Sequence, residues 1–146
     1  MADEPVSALD VSVQAQVLNL LLDLEECHAM TLLFISHDLR VVEFLCDRIA
    51  VMYLGEIVET SDKASLYRNP GHPYTQALFA SAPGRPRGAR LKGEIPNAAD
   101  IPSGCAFRSR CPHAFECCSV ERPALRELEG GAVAACHLLD AEENRT

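Results

Sequence analysis

An α/β fold is the architecture this chain predicts, and three features predict it. An amphipathic helical stretch from Val11 to about Glu26 is followed by an unbroken apolar run, Thr31–Ser36. A second helical stretch, Asp38–Cys46, then leads into two β-rich runs around Leu54-Gly55. The order strand end, helix, strand, helix, strand belongs to sheets covered by helices.

Each element has its own reason. Val13, Val17, Leu20, Leu21 and Leu24 recur at helical spacing, with Gln14, Gln16, Asn19 and Asp23 between them. One face of the helix is therefore expected to be buried. Asp10 precedes it as an N-cap. Thr31–Ser36 lacks polar alternation and reads as a strand buried on both faces, as in parallel sheets. Arg48–Tyr53 and Glu56–Thr60 flank Leu54-Gly55 as a hairpin. Beyond Asp62, Lys63–Tyr67 and Tyr74–Ser81 read as short helices around the breaker Asn69–Pro73. Pro73 suits a helix start, and His72 suits a capping or surface role. Pro83–Gly104 reads as an irregular linker, with a solvated basic patch at Arg85, Arg87 and Arg90. Cys105–Leu139 shows little periodicity, so something other than hydrophobic burial is expected to hold it. The acidic end, Asp140–Glu143, is expected to fray. Three regions follow: 1–61, 62–104 and 105–146.

Composition bounds the function. The 146 residues are 48% hydrophobic, which suits a folded domain. A net charge of −8 and a pI near 5.0 argue against nucleic acid as a partner. The longest apolar runs, Val17–Leu22 and Ile49–Leu54, are too short to span a bilayer. No basic segment followed by an apolar core opens the chain, so a soluble, cytosolic protein is expected. Cys27 and Cys46 sit among apolar neighbours and are expected to fill small core gaps. The other five of the seven cysteines crowd the last third.

The opening residues carry chemistry. Asp3-Glu4 ends a strand-like segment, and His37 follows the apolar run in Ile-Ser-His-Asp. A carboxylate at a strand end can hold magnesium, its neighbour can take a proton from an attacking water, and phosphoryl transfer asks the protein for little else than charge and orientation. Parallel neighbours deliver their C-terminal ends to one edge, so His37 is placed to meet a terminal phosphate. Singly these residues carry little weight. The joint pattern Asp-Glu-Pro, Ser-Ala-Leu-Asp, amphipathic helix, apolar strand and Ser-His-Asp is far more specific.

That pattern resembles the C-terminal portion of the ATP-binding subunits of ABC transporters, in the oligopeptide/dipeptide (and nickel) importer group. The likeness continues through Asp47–Tyr53, Gly55–Glu59, Asn69–Leu78 and Leu91–Pro96. The resemblance implies the C-terminal part of a P-loop NTPase (ABC ATPase) sheet-and-helix domain, followed by a small irregular Cys-rich tail. It implies Asp3 at the end of the Walker B strand, Glu4 as the catalytic glutamate and His37 as the switch histidine. Ser7-Ala8-Leu9-Asp10 becomes the loop facing a second ATPase subunit. ATP and Mg2+ are the implied cofactors, membrane permease subunits the further partners, and the inner face of the cell membrane the implied location.

The 146 residues contain neither G-x-x-x-x-G-K-[ST] nor Leu-Ser-Gly-Gly-Gln. Without backbone amides and a lysine around the phosphates, these residues alone are expected to bind and hydrolyse negligible ATP. Two rival readings are a stand-alone metal-binding interaction module and a gene remnant.

Cys105-x5-Cys111-x6-Cys118, with Cys136 seventeen residues on, offers four thiols. Such a set suits zinc or an iron–sulfur cluster, and the spacing alone leaves the metal open. Nitrogen from His113 or His137 would favour zinc, and Cys117 is left spare. The resemblance favours a [4Fe-4S] cluster on Cys105, Cys111, Cys118 and Cys136, because some members of the importer group carry one on this tail.

Overall fold

A computed structural model of the chain describes residues 1–82, 91, 96–97 and 101–139. The described residues fall into two compact units, one within Met1–Asp47 and one made of the described residues from Arg48 onward. The expectations at Arg85, Arg87, Arg90 and Asp140–Glu143 lie outside the described residues.

In the first unit, β1 (Ala2–Asp3) pairs in parallel with β2 (Phe34–Ile35), in the register Ala2↔Phe34 and Asp3↔Ile35. The two strand ends thus arrive side by side. Helix α1 (Val11–His28) begins where the Asp10 carboxylate accepts the Ser12 and Val13 amides, the cap the sequence predicts. It ends at Ala29 in the left-handed region, φ 49°. Helix α2 (Leu39–Leu45) starts on the Asp38 carboxylate, which accepts the Arg40 amide. Val6, Leu18, Val41 and Leu45 form the small core, with Val17, Leu21, Leu22, Leu32, Phe34 and Cys46 packed on it.

Three expectations fail in this unit. The helical stripe is only partly buried, with Val13 38%, Leu20 56% and Leu24 37% exposed, and Leu18, outside that stripe, is the buried residue of α1, because the small core covers only part of the helix. The apolar strand is only two residues long and is not buried on both faces, since Leu33 is 61% and Ile35 44% exposed. A two-stranded sheet has too few neighbours to cover both sides of a strand. Cys27 fills no core gap: it lies exposed on α1.

In the second unit, β3 (Arg48–Tyr53) and β4 (Glu56–Asp62) form the predicted hairpin. Leu54 (φ 48°) and Gly55 (φ 82°) make a turn with both central residues left-handed, which matches the twist of the flanking strands. Ile49, Val51 and Tyr53 alternate inward. Helices α3 (Lys63–Arg68) and α4 (Pro73–Ala80) follow.

The tail then returns to the hairpin. After α5 (Cys117–Val120), β5 (Arg126–Glu127) and β6 (Val133–Ala134) extend the sheet in the order β3-β4-β6-β5. Glu59 pairs with Ala134 and Thr60 with Val133. Phe107, 1% exposed, packs among Tyr53, Tyr74 and His72, with ring centroids 5.3, 5.4 and 5.7 Å away. Backbone pairing and aromatic burial therefore hold the tail, contrary to the expectation from its weak periodicity.

Candidate functional site

The first unit's site follows from the parallel register. The Ala2 amide donates to the Leu33 carbonyl at 2.8 Å and the Glu4 amide to the Ile35 carbonyl at 2.9 Å. This pairing leaves Asp3 and Glu4 at the end of β1, beside the end of β2. Glu4 adopts φ 44°, an unusual backbone for a side chain of this kind. His37 stands two residues past β2, and its Nδ1 lies 2.8 Å from Glu4 Oε1. Both are exposed, the imidazole side chain by 73% and the carboxylate by 47%. The hydrogen bond to Glu4, and then that carboxylate's charge, raise the His37 pKa above its ordinary value.

Ser7 and Asp10 are held by local backbone. The Ser7 hydroxyl and amide both donate to the Glu4 carbonyl, at 3.1 and 3.3 Å. Val6, 3% exposed, anchors this turn in the core. Asp10 is engaged as the cap of α1. Glu4 and His37 are thus brought into direct contact. Ser7 meets Glu4 only through backbone, and Asp10 serves the helix.

Asp3 and Glu4 suit magnesium in kind. It is a hard cation that takes oxygen ligands, and it is commonly held by one or two carboxylates together with substrate phosphates. That coordination needs no group of three protein ligands.

The tail meets a stricter test. Cys105, Cys111 and Cys136 have thiols pushed up first by burial, and Cys136 reaches about 11. Neighbouring thiols add to each shift, and Cys136 senses Cys111, Cys105 and Cys118. Yet among the described residues no three His, Cys, Asp or Glu side chains stand close enough to hold a metal ion. The expected cluster, or zinc, on Cys105, Cys111, Cys118 and Cys136 has no support in this arrangement.

A polar device in the second unit was missed by sequence reasoning. Glu59, 1% exposed, accepts the Gly71 amide at 2.6 Å and the His72 amide at 3.0 Å. His72, 2% exposed, accepts the Tyr74 amide on Nδ1 at 3.0 Å and so caps α4. The capping role is as predicted, and the surface alternative is not. Burial pushes the His72 pKa down to about 4. The only signal in sequence was an acidic residue inside the β-run Ile57–Thr60.

No helix among the described residues is long and apolar enough to cross a membrane. Residues 58–118 match the family described as the oligopeptide/dipeptide transporter, C-terminal region. The chain is 52% identical over 145 residues to the oligopeptide transport ATP-binding protein AppF of Bacillus subtilis, covering 94% of this chain and 44% of AppF. It is 49% identical over 152 residues to YkfD of the same organism, named for oligopeptide transport ATP binding, covering 99% of this chain and 46% of that protein. A Brucella ovis protein named for peptide import ATP binding is 53% identical over 141 residues, or 93% of this chain and 44% of the relative. The chain thus spans a little under half the length of these relatives. Residues 58–118 therefore belong to the C-terminal region of the oligopeptide/dipeptide transporter family, and over most of its length the chain is similar to proteins named for peptide-transport ATP binding.

Proposed function

We propose that these residues supply the water-activating half of an ATP-hydrolysing site that powers peptide import. The observation that carries this reading is the 2.8 Å contact between Glu4 and His37 at the ends of two parallel strands. Glu4 is the general base for the attacking water, because its carboxylate is exposed and held at a strand end. His37 orients that carboxylate and presents its remaining ring nitrogen toward the terminal phosphate. Asp3 is the magnesium ligand, and the metal supplies charge neutralisation at the phosphates. The turn carrying Ser7 and Asp10 faces a second ATPase subunit. Membrane permease subunits are the further partners, at the cytoplasmic face of the membrane.

The phosphate cradle is not among these 146 residues, so the site is complete only with residues from outside them. The test uses an ATP-binding subunit that contains this segment together with a phosphate loop. Glu4→Gln is expected to leave ATP binding intact and lower turnover by about 10²-fold or more, the scale of a positioned general base. His37→Ala is expected to lower turnover as well. Wild-type turnover in Glu4→Gln would overturn the assignment. For the 146 residues alone, micromolar ATP affinity would show that no external cradle is needed.

A further inference from the structure

We propose that a cavity between β4 and the tail binds a small neutral organic molecule, an apolar body carrying one hydrogen-bond acceptor, with His72 as the donor. This goes beyond the nucleotide half-site and uses none of its residues, so either reading can fail without the other.

The cavity has a volume of about 230 Å³ and lies wholly within the second unit. Ile57, Val58, Phe107, Pro123 and Leu125 give it mainly apolar walls. An apolar cavity of ~150 Å³ accepts benzene, so this one has room for a single ring with a short substituent. His72 also lines it, although that residue is almost fully buried. Its Nδ1 accepts the Tyr74 amide at 3.0 Å, which leaves the proton of the neutral ring on Nε2. Among the described residues no acceptor meets Nε2. With the Nδ1 edge turned to the start of α4, the edge facing the cavity carries an unpartnered donor. Glu59 holds the backbone beneath it by accepting the Gly71 and His72 amides. The donor is therefore in place before a ligand arrives, which lowers the ordering cost of binding.

Charge sets the ligand class. Burial pushes the His72 pKa down to about 4, so at neutral pH the ring donates without carrying charge. Arg122 also lines the cavity, but its guanidinium is paired with the Glu56 carboxylate. Neither group therefore favours an anion over a neutral acceptor. A buried donor left unmade costs free energy, and a carbonyl or ether oxygen on the ligand removes that cost. Affinity should then follow the acceptor and not apolar area alone. Ile57 and Leu125 are exposed and mark the side from which a ligand enters.

The test titrates the purified chain with acetophenone and with α-methylstyrene, which has the same shape but a methylene in place of the carbonyl oxygen. The Val58, Phe107 and Ala135 amides, all on the cavity wall, are followed by two-dimensional NMR at neutral pH. Saturable shifts are expected with acetophenone, at an affinity ~10-fold above that of α-methylstyrene, the scale of one neutral hydrogen bond. In His72→Phe, which keeps a ring and loses the donor, that preference is expected to vanish. Because His72 also caps α4, Leu125→Trp serves should that variant fail to fold. It changes an exposed wall residue and is expected to fill the cavity and abolish the saturable shifts from both compounds. No saturable shift up to the solubility limit of acetophenone overturns the proposal. So do equal affinities for the two compounds in the wild type, a preference retained in folded His72→Phe, or unchanged binding in Leu125→Trp.

Discussion

At Glu4 a left-handed backbone and one hydrogen bond together decide where a carboxylate points. Its bond to His37 has a measurable signature: the His37 pKa lies above the ordinary imidazole value near 6.5. A raised folded-state pKa favours folding below the unfolded value, and that contribution disappears as pH rises through the folded value. In an NMR titration His37 is expected to titrate above 6.5 and to fall back in Glu4→Gln. His72 behaves oppositely. Its pKa falls from 6.5 to about 4 by burial, so the unfolded chain binds the extra proton between those values. Stability is expected to drop through that window as the pH is lowered, by on the order of 3 kcal/mol at its acid end. Denaturant melts at pH 4 and pH 7, compared with those of a His72→Gln variant, read this directly. Glu59→Ala leaves the half-buried Gly71 amide and the buried His72 amide without their acceptor. A loss of about 3 kcal/mol is expected by denaturant titration.

Among the elements, the position and cap of α1 and the β3–β4 hairpin were legible because local chemistry agrees with the fold, whereas the buried face of α1 was not, since Leu18 is buried while Val13, Leu20 and Leu24 are exposed. Asp10→Ala removes the acceptor for two amides at the start of α1 and is expected to cost about 1 kcal/mol. The hairpin turn contains one residue that its geometry disfavours. Leu54 sits at φ 48° where Asn or Gly is preferred. Leu54→Asn is therefore expected to raise the melting temperature, by a stability gain of about 0.5 kcal/mol, within the range of compatible turn substitutions. The apolar run Thr31–Ser36 misled for a physical reason. A uniform apolar run specifies that neighbours are wanted on both faces, but not that the available sheet supplies them.

At the scale of the molecule, the tail's attachment is the main departure from what the sequence suggested. Strands β5 and β6 are two residues each, too short to produce a periodic signal, yet they complete a four-stranded sheet on the hairpin. Phe107 is the anchor, with Tyr53, Tyr74 and His72 around it. Phe107→Ala is expected to cost about 3–5 kcal/mol and to deprotect the β6 amides in hydrogen exchange, whereas the β1–β2 amides keep their protection.

The sequence by itself determined helices α1 to α4, the caps at Asp10 and His72, the hairpin, and the residue types at Asp3, Glu4 and His37. All of these rest on local propensity, spacing and a recognisable joint pattern. Only the tertiary structure decided which of those residues meet. It joined Glu4 to His37 through a parallel register, engaged Asp10 in its helix, and buried Glu59 and His72 as one hydrogen-bonded unit. It also set the Cys105 amide on the Cys118 carbonyl, beside a glycine that leaves room for the approach. Contacts between residues far apart in sequence depend on strand register and backbone clearance, and neither leaves a local trace in composition or periodicity.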